Sequence, residues 1–165
     1  MESHLFVYGT LMIGVESRMA GLLQRNSKWL GSACIPGLLY DLGRYPGAQW
    51  IQEHPQKVYG QIFLLEDPEF LLVHLDEYEG IDPQFPAAGE YVRKLIPAFL
   101  EDENRMVDTW FYHFNQPSKK LTLIESGRYL DYYPQKPAHL DFIRTTVKII
   151  SQSQRQIKID KMKTP

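Results

Sequence analysis

The chain has 165 residues with 18 Lys+Arg against 20 Asp+Glu, a net charge of -2, and is 44% hydrophobic and 13% aromatic. That suits one folded domain with a sizeable core, and the near-balanced charge removes the electrostatic case for a nucleic-acid or anionic-membrane partner. The single cysteine, Cys34, excludes an internal disulfide, and no apolar run approaches membrane-spanning length, so the expected compartment is the cytoplasm.

Leu5-Phe6-Val7-Tyr8 reads as a buried strand, broken at once by Gly9-Thr10. A strand ending in Gly-Thr is either an ordinary turn or a place where successive backbone N–H groups are offered to a carboxylate or oxyanion. Met19, Leu22 and Leu23 share one side of a short helix spanning Glu16 to Leu23. Two strand-like runs, residues 29–35 and 38–42, flank Pro36-Gly37, a turn signal. Cys34 sits in the first of these runs as a small buried hydrophobe. Residues 43–47 read as a loop. A further strand covers residues 57–65, where Gly60 predicts a bulge or the close approach of another backbone.

Asp67-Pro68 starts a helix, with Asp as N-cap and Pro at the first helical position, and Gly80 ends it. Residues 91–96 and 107–114 form an antiparallel hairpin across the charged turn 101–104. Residues 121–130 close the domain. From about Ala138 onward, Leu140, Ile143, Val147 and Ile150 are spaced as an amphipathic helix. We expect a single domain over residues 1–153 and a polar basic tail over 154–165. Dominant strands and dispersed helices predict an α+β fold: a compact mixed sheet or small barrel with helices packed outside.

Leu75-Asp76-Glu77-Tyr78-Glu79-Gly80 places three carboxylates at the end of the second helix. At about 100° per residue, Glu79 falls beside Leu72 and Leu75 on the apolar face, Glu77 nearly opposite, and Asp76 at the flank. A carboxylate forced towards apolar surroundings at the negative end of a helix dipole has a raised pKa and suits proton exchange near neutrality. The competing reading is a frayed helix end with Glu79 turned to water. His74 and His113 are the histidines that could join Asp76 and Glu79 in a metal site, but metal-ligand spacing is missing and no metal or other cofactor is expected.

Five segments in order, Val7-Tyr8-Gly9-Thr10-Leu11, Tyr45-Pro46-Gly47, residues 58–63, residues 75–80 and Glu90-Tyr91-Val92-Arg93, together resemble the γ-glutamylcyclotransferase-like family. Trp110-Phe111-Tyr112 and residues 126–130 extend the resemblance, which covers Leu5 to Tyr133. It implies a small mixed β-barrel with flanking helices and a small-molecule γ-glutamyl substrate. The implied reaction closes a 5-oxoproline ring and releases an amine or amino acid. By the same resemblance Glu79 is the general base and then acid. The N–H groups of Gly9, Thr10 and Leu11 hold the glutamyl head or developing oxyanion, Tyr91 hydrogen-bonds near the reacting end, and Tyr8 walls the pocket. For Tyr91 an ordinary strand aromatic is the competing reading.

The sequence departs from the pattern twice. Met12-Ile13-Gly14 stands where family members often carry a basic residue, and the segment between Glu79 and Tyr91, with Pro83, Phe85 and Pro86, is long enough to cover a pocket. The same residues also fit a non-catalytic module binding a small metabolite.

Overall fold

The computed structural model describes residues 1–146. Seven strands, β1 (His4–Val7), β2 (Ser27–Asp41), β3 (Pro46–Trp50), β4 (Lys57–Leu65), β5 (Tyr91–Leu100), β6 (Arg105–Phe114) and β7 (Thr122–Leu123), carry the fold. Helices α1 (Arg18–Arg25), α2 (Pro68–Tyr78), α3 (Tyr129–Tyr132) and α4 (residues 137–146 of the described chain) pack around them. Five strands in the order β2-β4-β1-β6-β5 close into a barrel because β2 also pairs with β5, at Ala33↔Leu100 and Cys34↔Phe99. The β1–β6 pairing is parallel and the others are antiparallel. Closure leaves these strands without a free edge.

The barrel is filled by Phe6, Ile35, Ile62 and Phe111, all almost wholly buried, and Leu71, Leu72 and Leu75 bury the apolar stripe of α2. Gly60 lets β4 press against β1: a Cβ there would lie 2.0 Å from the Val7 carbonyl oxygen. Of the two alternatives at Gly60, close approach is the one realised. The register shift of this sheet falls in β2 instead, between Trp29 and Gly31.

Pro36-Gly37 does not reverse the chain. One continuous strand runs through it and changes partner there, pairing with β4 as far as Pro36↔Lys57 and with β3 from Gly37↔Trp50. Proline removes a donor where one ladder ends, and Gly37, at φ +150°, bends the strand out of the barrel. Residues 46 and 47, expected in a loop, begin β3, whose only ladder partner among the described residues is β2. Proline is tolerated on such an edge strand.

The first helix starts at Arg18 rather than Glu16, because the Ser17 hydroxyl caps it by accepting from the Ala20 N–H. Helix α4 lies where the C-terminal amphipathic pattern begins, with His139 and Ile143 buried. Val147, Ile150 and the tail fall outside the described residues.

A hydrogen-bonded cluster fixes α4 to the barrel. His139 Nδ1 meets the Tyr129 hydroxyl at 2.9 Å and Nε2 meets Asp41 Oδ1 at 2.7 Å. The Tyr132 hydroxyl donates to Asp41 Oδ2 at 2.6 Å, and the Gly43 N–H donates to Oδ1 at 2.7 Å. Burial pushes the Asp41 carboxyl up, but the hydrogen bonds from Tyr132, Gly43 and His139 outweigh it and hold the group below its ordinary range.

Candidate active site

A cavity of about 280 Å³ opens between the end of β1, the end of α2 and the start of β5. Its lining includes Tyr8, Gly9, Thr10, Leu11, Glu79 and Tyr91, so the six residues singled out from the sequence come together around one space.

The loop after β1 owes its shape to its carbonyls. Gly9 O accepts from the Met12 N–H at 3.1 Å, and Thr10 O accepts from the Ser17 hydroxyl. Among the described residues, none of the N–H groups of Gly9, Thr10 and Leu11 donates to another protein group. Three consecutive unpaired donors beside a cavity suit an anionic oxygen. The missing side chain of Gly9 makes room for Pro46, since a Cβ would stand 2.7 Å from Pro46 Cγ. That close packing brings the start of β3 into the wall.

Glu79 is the C-cap of α2. The helix begins as read from Asp67, which accepts from the Phe70 N–H at 3.0 Å. It ends in a Schellman arrangement: Ile81 N–H donates to Asp76 O at 2.9 Å and Gly80 N–H to Glu77 O at 3.1 Å, with Gly80 at φ +71°. This lock keeps the last turn from fraying. Glu79 is therefore held towards the cavity, half-buried, with no hydrogen-bond partner for its carboxyl among the described residues. Desolvation, then the charges of Glu90 and Asp76, push that carboxyl up to about 8. The tyrosines around it stay neutral: Tyr78 is pushed up to about 12 chiefly by burial, and burial and Glu79 raise Tyr8 well above its usual range.

The other two carboxylates separate as the wheel arranged them. Glu77 is exposed. Asp76 accepts from the Tyr112 hydroxyl at 2.7 Å and pairs with Arg93 Nε at 3.1 Å, while Arg93 stacks 4.6 Å over the Trp110 ring. Asp76 is thus a fixed negative charge behind the wall. His74 bonds its own helix at Phe70 O, and His113 accepts from the Trp50 N–H. Among the described residues, no group of three or more His, Cys, Asp or Glu is placed to hold a metal ion.

The sequence profile of the family described as "Gamma-glutamyl cyclotransferase, AIG2-like" matches residues 5–131. The chain belongs to this family. The "Gamma-glutamylcyclotransferase family protein ytfP" of Citrobacter rodentium is 31% identical over 134 residues, covering 77% of this chain and 95% of that protein. Among solved structures, an AIG2-like protein from Mus musculus aligns with a TM-score of 0.56 at 21% identity, over 75% of this chain and 86% of its own. YkqA from Bacillus subtilis aligns with a TM-score of 0.57 at 24% identity; the match covers 78% of this chain and 40% of the longer YkqA chain. The two structural likenesses show the same fold.

Within this family member the cavity has features that the sequence reading did not place. Tyr91 lines the cavity, but its hydroxyl donates to Pro46 O at 2.7 Å and is almost wholly buried, so it fixes the β3 wall. The Tyr8 hydroxyl likewise donates to Tyr112 O at 2.9 Å. Thr10 Oγ1 and the Tyr78 hydroxyl are 3.0 Å apart. Phe85 is 65% exposed and absent from the lining, so the long segment after Glu79 contributes only Gly80 and Glu90. The aromatic that α4 contributes to the lining is Phe142, whose ring lies 5.1 Å from that of Tyr45. Tyr45 in turn donates to Glu90 Oε2 at 2.9 Å. Glu90 and Tyr45 stand inside the family-like segments, next to the residues singled out. Phe142 carried no local signal, because its position depends on the His139 anchor.

Proposed function

We propose that this family member cyclises a γ-glutamyl group to 5-oxoproline and releases the attached amine, with Glu79 carrying the protons. The observation that carries the reading is one carboxyl, raised to about 8 and unpartnered among the described residues, in the same cavity as three unpaired N–H groups. The substrate's α-ammonium gives a proton to the Glu79 carboxylate. The freed nitrogen lone pair attacks the γ-carbonyl carbon, an N–C bond forms, and the carbonyl electrons move to oxygen. The N–H groups of Gly9, Thr10 and Leu11 receive that oxyanion. A second proton from the attacking nitrogen also passes through Glu79. The two protons reach the leaving nitrogen, the old C–N bond breaks, and the amine departs as an ammonium. The ring nitrogen keeps the third proton and Glu79 is again a carboxylate.

Because nucleophile and electrophile belong to one molecule, orientation alone lowers the barrier by up to ~7–11 kcal/mol. A shuttle near neutrality then supplies the remaining proton transfers. Tyr8 and Tyr91 act as walls, consistent with hydroxyls already engaged by backbone carbonyls. The expected substrate pool is the small metabolites of the cytoplasm.

The test is product analysis. A panel of γ-glutamyl amides and peptides is incubated with the protein, and 5-oxoproline, glutamate and free amine are quantified. Equimolar 5-oxoproline and amine supports the reading. Glutamate in place of 5-oxoproline contradicts it, since attack by water would then replace ring closure. Binding without either product would make the cavity a metabolite-binding site.

A further inference from the structure

Arg128, Tyr129 and Leu130 lie in one of the family-like segments, yet they take no part in the cavity that holds Glu79. They line a second one, of about 160 Å³. Gly127 places them. It sits at φ +64°, where a Cβ would collide with Lys57 O, and its carbonyl accepts from the Tyr59 N–H at 2.9 Å. This contact seats the segment on β4, and the Arg128 guanidinium stacks 3.6 Å over the Tyr59 ring. Glu101 and Asp131 line the same cavity. Among the described residues, none of these three charged side chains forms an ion pair or a hydrogen bond. A cation and two anions thus share one space without meeting one another.

That pattern is the complement of a small zwitterion. We infer that this cavity is a ligand site separate from the one holding Glu79, and that it takes a free α-amino acid with a short apolar side chain. The flat guanidinium, backed by the Tyr59 ring, offers paired N–H groups to the ligand's carboxylate. The ligand's ammonium is met by Glu101 and Asp131. Met12, Ala33 and Leu130 supply apolar lining, and the small volume suits a short side chain. A ligand with one charge leaves either the guanidinium or the carboxylates unanswered. The site also touches the loop that presents the N–H groups of Gly9, Thr10 and Leu11. Met12, whose N–H donates to Gly9 O at 3.1 Å, belongs to the lining. So does Gln61, which accepts from the Ile13 N–H at 2.8 Å and donates to its carbonyl at 3.3 Å. An occupant therefore meets residues bonded to that loop. The inference does not depend on the proposed cyclisation.

Three probes share one branched carbon skeleton: L-valine, isobutylamine and 3-methylbutanoate. They carry both charges, the ammonium alone and the carboxylate alone. Each is titrated into the intact chain and followed by backbone amide shifts in NMR. L-valine gives saturable shifts at Tyr59, Gly60, Gln61 and Arg128, and smaller ones at Met12 and Ile13, at concentrations up to about 10 mM. Each singly charged probe binds about tenfold or more weakly, since one charge-assisted contact is lost. Arg128→Gln, at an exposed position where substitution leaves the fold standing, weakens L-valine binding by about tenfold or more. Glu101→Gln weakens it less, because Asp131 remains. No saturable shift, shifts centred on Glu79 and Tyr91, an equal response to either singly charged probe, or unchanged binding by Arg128→Gln overturns the inference. L-valine shifts that spare Met12 and Ile13 overturn the link to the loop. The cyclisation is decided separately, by 5-oxoproline release from γ-glutamyl compounds.

Discussion

Two carboxyls under the same constraint, burial, end in opposite states. Asp41 is withdrawn beneath α4 with Tyr132, His139 and the Gly43 N–H around it, and it is held below the ordinary carboxylate range. Glu79 faces a cavity with no partner among the described residues and is pushed up to about 8. Burial penalises both charges. What differs is whether the protein supplies donors to replace water. Where donors are supplied, the carboxylate clamps two elements together. Where they are withheld, the group is left able to take and give protons.

The largest expected effect comes from exchanging the chemistry of each group for its neutral amide. Glu79→Gln lowers the turnover of a γ-glutamyl substrate by about 10²–10⁴-fold, the usual worth of a general acid–base group, whereas Asp41→Asn retains turnover. Paired kinetics on the two variants check this. Comparable losses in both would erase the functional distinction.

Stability separates them next. Asp41→Ala leaves His139 buried without its carboxylate and costs about 2–3 kcal/mol, lowering Tm by roughly 5–10 °C. Because the folded pKa of Asp41 is depressed, its contribution is present above the unfolded value of about 4 and is lost as pH falls through the lower folded value. The Tm gap between wild type and Asp41→Ala therefore narrows in acid. A gap that stayed constant from pH 7 to pH 3 would remove the ionised clamp.

Glu79 has the reverse sign. Its folded pKa is raised, so the folded state binds more protons than the unfolded chain between about 4.5 and 8, and stability falls as pH rises through that window. Glu79→Gln escapes this penalty. Its Tm exceeds that of wild type by a few degrees at pH 8, and the difference shrinks towards pH 5. Calorimetry across that range measures it, and a variant less stable than wild type at pH 8 would count against an unpartnered carboxyl.

The smallest effect is electrostatic and at a distance. Glu90 raises the Glu79 carboxyl, so Glu90→Gln moves the acid limb of the pH–rate profile to lower pH, by less than removing a contacting charge would. An unmoved limb would mean that Glu90 does not sense the proton on Glu79.

The contrast also explains what could be seen in the sequence. Asp67-Pro68, the apolar spacing of Leu71, Leu72 and Leu75, and Gly80 are local signals, and they place Glu79 on the buried face because capping and helical period act within a few residues. The loop of Gly9, Thr10 and Leu11 was equally local. The α+β class followed from strand runs that are themselves local. Pro36-Gly37 misled, because a chain reversal and a change of strand partner use the same residues. Asp41 and Phe142 were invisible for a further reason. Their roles depend on His139 docking 98 residues away from Asp41, and no short window contains that contact.

The central claim is that Glu79 moves the protons of ring closure, and the pH dependence of 5-oxoproline release tests it most directly. The active form pairs an ionised Glu79 with a substrate ammonium. The expected kcat/KM therefore rises with pH through an apparent pKa near 8, then falls as the ammonium itself titrates. Glu79→Gln loses both the rate and the rising limb. A Glu79→Gln variant that releases 5-oxoproline at the wild-type rate, along the same profile, would contradict the claim.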